Sequence, residues 1–219
     1  MKKAFIFLSF TSSQNQSISN IIKYLESIKI NNSDIFVITN TKDNYFDHIH
    51  KNVIRLQKII TLNHALKQFL SRKNKATLIK TLDIFNHYDS IEILLPHFLN
   101  ILCNYFYNNY LKKTQKTKTI ISLYPDGMLS YQPYKIKNIL QKESLSRWIG
   151  GYFIGMPYKL FTGPIADPYN IVQKIYTYLP NATIKYNSKE LIKISFPKKV
   201  IKGKQILILG HFNQSKFSE

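Results

Sequence analysis

Apolar residues along this chain fall into short runs and helically spaced stripes that alternate with one another. Ala4 to Phe10 is a run rich in Phe and Ile, and the polar stretch Thr11 to Gln16 after it reads as a loop. Ile18, Ile21, Ile22, Leu25 and Ile28 then recur at the spacing of one helical face, with Ser17 placed to cap it. Asn31-Asn32-Ser33 ends that helix, and Ile35 to Thr39 reads as a second strand. Strand, helix and strand in succession predict a βαβ unit and a parallel sheet.

The alternation continues. Val53 to Ile60 reads as a strand, and Leu62, Ala65, Leu66, Phe69 and Leu70 as a helical face. Ser90 to Leu95 is a strand stopped by Pro96, followed by a long helix from Phe98 to Leu111. Thr119 to Tyr124 is the next strand and breaks off at Pro125-Asp126-Gly127. Beyond it the chain is looser and more aromatic, with Tyr131, Tyr134, Trp148, Tyr152, Phe153, Tyr158 and Phe161 among several glycines. Those rings serve either as core at the sheet edge or as a surface on which sugars stack. Lys174 to Leu179 is a late strand, Phe196 to Lys204 resembles a linker, and Ile206 to Leu209 is a strongly apolar strand with little chain after it. An apolar strand with no helix behind it cannot bury both faces. The expected organisation is therefore an α/β domain, a Rossmann-like parallel sheet flanked by helices, over residues 1–195. Residues 196–219 would be a linker and the first strand of an incomplete second domain.

Charge changes the picture next. Of 219 residues, Lys and Arg number 31 and Asp and Glu 12, a formal net charge of +19. Such a chain is drawn to anions: phosphate-bearing substrates, nucleic acid or a negative membrane face. Lys, Asn and Ile are abundant throughout, so part of this basicity is compositional. The basic residues are also dispersed, and no nucleic-acid-binding pattern accompanies them, which ranks specific nucleic-acid binding lowest. The single cysteine, Cys103, excludes an intramolecular disulfide scaffold and reads as a buried thiol. No apolar run approaches the roughly 20 residues that a membrane helix needs. The opening Lys2-Lys3 and apolar stretch read as a buried strand rather than a signal peptide.

In doubly wound folds ligands sit beyond the carboxyl ends of the strands. That singles out Thr11 to Ser13, Thr39 to Thr41, Pro96-His97 and Tyr124-Pro125-Asp126-Gly127. Asp126 is the sharpest of these, a carboxylate just past a buried strand and beside a glycine, the kind of group that serves as a general base. Pro-Asp-Gly is equally an ordinary turn sequence. Asp167, before Pro168, reads as a turn residue. There is no Gly-rich dinucleotide fingerprint and no P-loop, and the histidines show no metal-ligand spacing.

The segment IISLYPDGMLSYQPY, Ile120 to Tyr134, resembles the acidic-acidic-glycine region of bacterial sialyltransferases, the capsular polysialyltransferase type above all and the lipooligosaccharide sialyltransferases beside it. SIEILLPHFLNILC, Ser90 to Cys103, sits where such enzymes have a strand running into a helix near the cleft. The resemblance implies a two-domain GT-B architecture, of which this chain would be the acceptor-side domain with only the start of the second. It implies Asp126 as catalytic base, and Gly127, Tyr131 and His97 as substrate-binding residues. It implies CMP-sialic acid as donor substrate, with no cofactor and no metal, and a surface glycan of capsule or lipooligosaccharide as acceptor. A cytoplasmic location follows, with peripheral contact at the anionic inner face of the membrane. Two departures stand against catalysis. Pro125 occupies the first acidic position of the motif, and no His-Pro pair, the donor-binding motif of the family, occurs in the chain. The alternative is a non-catalytic remnant domain that binds a glycan or another protein.

Overall fold

A computed structural model describes residues 2–31, 34–40, 45–46, 52–56, 64–111, 118–126, 134–183 and 190–195. Seven strands form one parallel sheet: β1 (Lys3–Ser9), β2 (Ile35–Thr39), β3 (Val53–Arg55), β4 (Ser90–Leu95), β5 (Lys118–Leu123), β8 (Val172–Thr177) and β9 (Glu190–Lys193). Their spatial order is β3-β2-β1-β4-β5-β8-β9. β6 (Lys135–Ile136) and β7 (Gly163–Pro164) make a small antiparallel pair apart from it. The helices are α1 (Ser12–Ser27), α2 (His64–Phe85), α3 (Ile101–Tyr105) and α4 (Lys142–Phe153). This is the α/β, Rossmann-like arrangement that the alternation of apolar runs and stripes predicts.

Parallel strands read as near-continuous apolar runs because both faces are covered. Five consecutive residues of β2, and all six of β4, are buried. On one face Phe5, Phe7, Val37 and Leu94 meet Ile18, Ile21, Ile22 and Leu25 of α1, with Phe46 filling in beside them. On the other, Ile6, Leu8, Ile38, Ile91, Ile93 and Leu95 meet Leu78 and Phe85 of α2 and Leu102 and Cys103 of α3.

Four sequence expectations need correction. The polar stretch after β1 is not a loop, because α1 begins at Ser12 with Thr11 as its cap, ahead of Ser17. Gln14 and Asn15 are polar yet buried, since Gln14 Oε1 accepts the Phe10 N–H at 2.9 Å and Ser9 Oγ bonds Asn15 Oδ1 at 2.8 Å. The strand expected over Val53 to Ile60 covers Val53–Arg55 among the described residues. The long helix expected from Phe98 starts at Ile101, where Asn100 Oδ1 accepts the Leu102 N–H, and it opens into π-helical turns over Phe106–Leu111. The region taken as loose after Asp126 contains a further helix, α4, closed by a Schellman motif. There Gly155 takes φ 65°, its N–H bonds Tyr152 O, and the Met156 N–H bonds Gly151 O. The expected strand at Ile206 to Leu209 and the linker before it lie outside the described residues.

One ionic network crosses the α1 face. Glu92, wholly buried on β4, receives Lys3 Nζ at 2.5 Å, Ser122 Oγ at 2.6 Å and Tyr176 Oη at 3.0 Å, so it joins β1, β5 and β8. Burial, and then the carboxylate beside it, push the Tyr176 hydroxyl far up, so it stays a donor. Removing one partner of a buried pair costs more than replacing both with apolar groups. We therefore expect Lys3→Met to lower stability by about 3 kcal/mol, and Lys3→Met with Glu92→Leu to recover part of that loss, read from urea midpoints. A double variant less stable than the single one would contradict this account.

Candidate functional site

The sheet order fixes where a ligand crevice can form. From β1 the chain winds outward to β2 and β3, then returns to the other side of β1 as β4 and continues through β5 and β8. The reversal lies between β1 and β4, and the carboxyl ends of these strands flank it. The residues at those ends are Phe10 and Thr11 after β1, Asn40 after β2, Pro96 and His97 after β4, and Tyr124 to Asp126 after β5. The start of α1 lies at the same edge, because that helix follows β1 directly.

His97 and Asp126 are brought together here. His97 Nε2 stands 3.4 Å from Asp126 Oδ2, and the two side chains are only 15% and 18% exposed. The pairing follows from register. β4 and β5 run in parallel with Leu95 opposite Leu123, so the residues just past each strand emerge side by side. Asp126 faces the imidazole nitrogen, while His97 Nδ1 is buried without a hydrogen-bond partner among the described residues. Asn40 Oδ1, at the end of β2, is in the same condition. Four further orphaned atoms lie elsewhere: Ser90 Oγ at the start of β4, Asn108 Oδ1 in the π-helical turn, Ser144 Oγ in α4 and Tyr158 Oη after it. Gly127 and Tyr131, expected beside Asp126, lie outside the described residues.

Two buried groups, Tyr124 and Cys103, lie near the pair. Tyr124 Oη reaches across β4 to donate to Leu8 O at 2.6 Å, with Gln14 Oε1 3.2 Å away, and so fastens the end of β5 to the start of α1. Burial pushes this hydroxyl well up, and the Cys103 thiol and the Asp126 carboxylate push it further. Cys103 is wholly buried; its thiol is pushed well up by that burial and then by Asp126, against the backbone N–H of His97. It is a neutral packing group and not a nucleophile, as its place on an apolar helical face implies. The Phe98 N–H bonds Ile165 O at 2.7 Å, which sets the segment after β7 against the His97 loop.

Asp167 sits in the turn that its sequence predicts, buried, with Oδ1 accepting the Ile171 N–H at 2.8 Å and Oδ2 near the Val172 N–H at 3.4 Å. It holds the entry to β8. The polar residues that sequence reasoning missed are Gln14, Asn15 and Asn104. Asn104, buried in α3, accepts the Lys159 N–H at 2.8 Å and donates to Lys159 O at 2.9 Å, which anchors the strand-like segment before β7. A signal for it was available: an Asn in an otherwise apolar helix stripe needs a partner. The aromatic stretch divides in two. Tyr158 and Phe161 are core, whereas Trp148, Tyr152 and Phe153 are exposed. Among the described residues no group of three or more His, Cys, Asp or Glu side chains is gathered to hold a metal ion, and no helix is long and apolar enough to cross a membrane. Comparison with known proteins returns no matching family model, no matching curated protein and no matching solved structure.

Burial raises the Asp167 carboxyl, and the backbone N–H groups pull it only part of the way back. A carboxyl raised in the folded state binds its proton more tightly there than in the unfolded chain. Stability linked to this group is thus greatest below the ordinary carboxylate range and falls as pH rises through it. The stability advantage of the wild type over Asp167→Asn should accordingly shrink from acid toward neutral pH, as measured by urea unfolding. An advantage that grows over the same range would refute the assignment.

Proposed function

We propose that the chain is the acceptor-side domain of a GT-B, sialyltransferase-type glycosyltransferase that transfers sialic acid from CMP-sialic acid to a surface glycan. The observation that carries this reading is the sheltered Asp126–His97 pair at the carboxyl ends of β4 and β5, next to the switch point of the parallel sheet. The unpartnered His97 Nδ1 and Asn40 Oδ1 at the same edge support it, because buried polar atoms without protein partners mark places where a polar ligand completes the bonding.

The chemistry needs one proton acceptor. Asp126 takes the proton of an acceptor hydroxyl as that oxygen bonds to the anomeric carbon of the donor sugar. The bond from that carbon to the phosphate oxygen breaks, and CMP leaves with the electron pair. His97 Nε2, 3.4 Å from Asp126 Oδ2, holds the carboxylate in place, and its buried Nδ1 has no protein partner among the described residues. The work would be done at the cytoplasmic membrane face, where a +19 chain is attracted and a lipid-linked acceptor resides. Gly127 and Tyr131 complete the acceptor side in this reading.

The test is CMP release from CMP-sialic acid, in the presence of a soluble sialylated oligosaccharide, by the chain reconstituted with the donor-binding half that this reading requires. Asp126→Asn should lower kcat by about 10²–10⁴-fold and leave the acceptor KM nearly unchanged. Turnover unaffected by that change removes Asp126 from the mechanism. Pro125, where the resembled motif has a carboxylate, favours the second reading, a glycan-binding module. Acceptor binding by calorimetry, with no CMP release even from the reconstituted wild type, would establish that reading in place of the first.

A further inference from the structure

Helix α4 is mounted the wrong way round for a core helix. Leu145, Trp148, Ile149 and Tyr152 recur at i, i+3, i+4 and i+7, the apolar stripe that ordinarily faces a core. Yet the helix buries Ser144 and Gly151. Gly151 is fixed in that role, since a Cβ there would meet Met156 O at 2.6 Å. With small residues facing the fold, Trp148, Ile149, Tyr152 and Phe153 are left outward, Tyr152 being 76% exposed. Ile139 and Leu140 extend the apolar surface into the turn before the helix, and Leu140 is 66% exposed. Six of the ten large hydrophobic side chains exposed among the described residues fall within residues 139–153. Scattered exposed hydrophobics are ordinary, but a contiguous patch of this kind marks an interaction surface.

The charges beside it select the partner. Lys142 shares the face of Ile149, seven residues on, and Lys135 and Lys137 stand exposed just before the helix. Glu143, the acid of α4, is nine residues and thus two and a half turns from Tyr152, on the opposite side. Trp and Tyr rings, apolar with one polar edge, suit the boundary between headgroups and acyl chains. A second copy would set like charges against each other, in a chain already at +19. The helix has 12 residues, too short to span a bilayer, and fits one lying in its surface.

We propose that α4 docks this protein on an anionic lipid bilayer, with Trp148, Ile149, Tyr152 and Phe153 inserted at headgroup depth and Lys142, Lys135 and Lys137 on lipid phosphates. The inference rests on the membrane part of the proposed function and not on sugar transfer, which is assayed on a soluble acceptor without lipid.

Trp148 is the single tryptophan of the chain, so its fluorescence reports this surface alone. With vesicles of phosphatidylglycerol and phosphatidylcholine, its emission should shift to the blue and be quenched by lipids brominated in the acyl chain. Tyr152→Ser with Phe153→Ser should weaken vesicle partitioning by about tenfold or more, with an unchanged far-ultraviolet circular dichroism spectrum. Binding to anionic vesicles without any change at Trp148 would overturn the docking surface and leave charge-driven membrane contact standing. Blue emission without lipid would also overturn it. If that emission varied with protein concentration the face would be covered by a second copy, and if it did not, by this chain's own residues.

Discussion

Strand β1 carries the constraint from which the remainder of the architecture follows. It is paired along one side with β2 and along the other with β4, all in parallel. Parallel neighbours need crossovers, and crossovers in one sheet are right-handed. A chain that winds from β1 to one side and later resumes on the other must therefore place its helices on opposite faces. α1 covers one face, and α2 and α3 the other. The connections diverge at the carboxyl ends of β1 and β4, and the gap between them is where backbone ends and polar side chains can meet a ligand without disturbing the core. The His97–Asp126 pair stands at that edge because β4 and β5 end in register, so its position is a product of strand pairing rather than of local turn sequence.

Buried polar groups hold this edge in shape. The seam from Tyr124 Oη to Leu8 O, with Gln14 Oε1 beside it, ties β5 to β1 and to the first turn of α1 across the intervening strand. Lower in the sheet, Glu92 does the same for β1, β5 and β8. Apolar packing alone is tolerant of small slips along a strand, whereas these bonds are directional and are satisfied only in one register. The carboxyl edge then presents the partly sheltered His97 and Asp126 on strands whose register these bonds fix.

Much of this was legible in the sequence where burial is two-sided. β2 and β4 were readable to the residue, because an unbroken apolar run between turn signals admits few alternatives. The start of α1 was not. Its first turn is Ser-Ser-Gln-Asn-Gln, which by composition is a loop, and as a helix it pairs Asn15 with Ser9 on β1 and Gln14 with the Phe10 N–H just past that strand. α4 was missed for a different reason. Its apolar stripe faces outward and its glycines lie at the contact and at the cap, so the usual cues of a surface helix are inverted. For the site, strand-end logic pointed to His97 and Asp126 separately; their meeting depended on the order of β4 and β5 in the sheet, which a single chain does not display.

The carboxylates themselves give a further reason to look at Asp126. A chain with 12 acidic residues beside 31 basic ones commits several of those described to fixed tasks. Glu92 is held by Lys3, Glu190 by Lys174, Asp89 by the Lys2 backbone N–H, and Asp167 by two backbone amides. Asp126 alone among these faces an imidazole. That difference in partner, more than burial or position alone, sets Asp126 apart from the carboxylates that hold the fold, and it is what the proposed role as proton acceptor draws on.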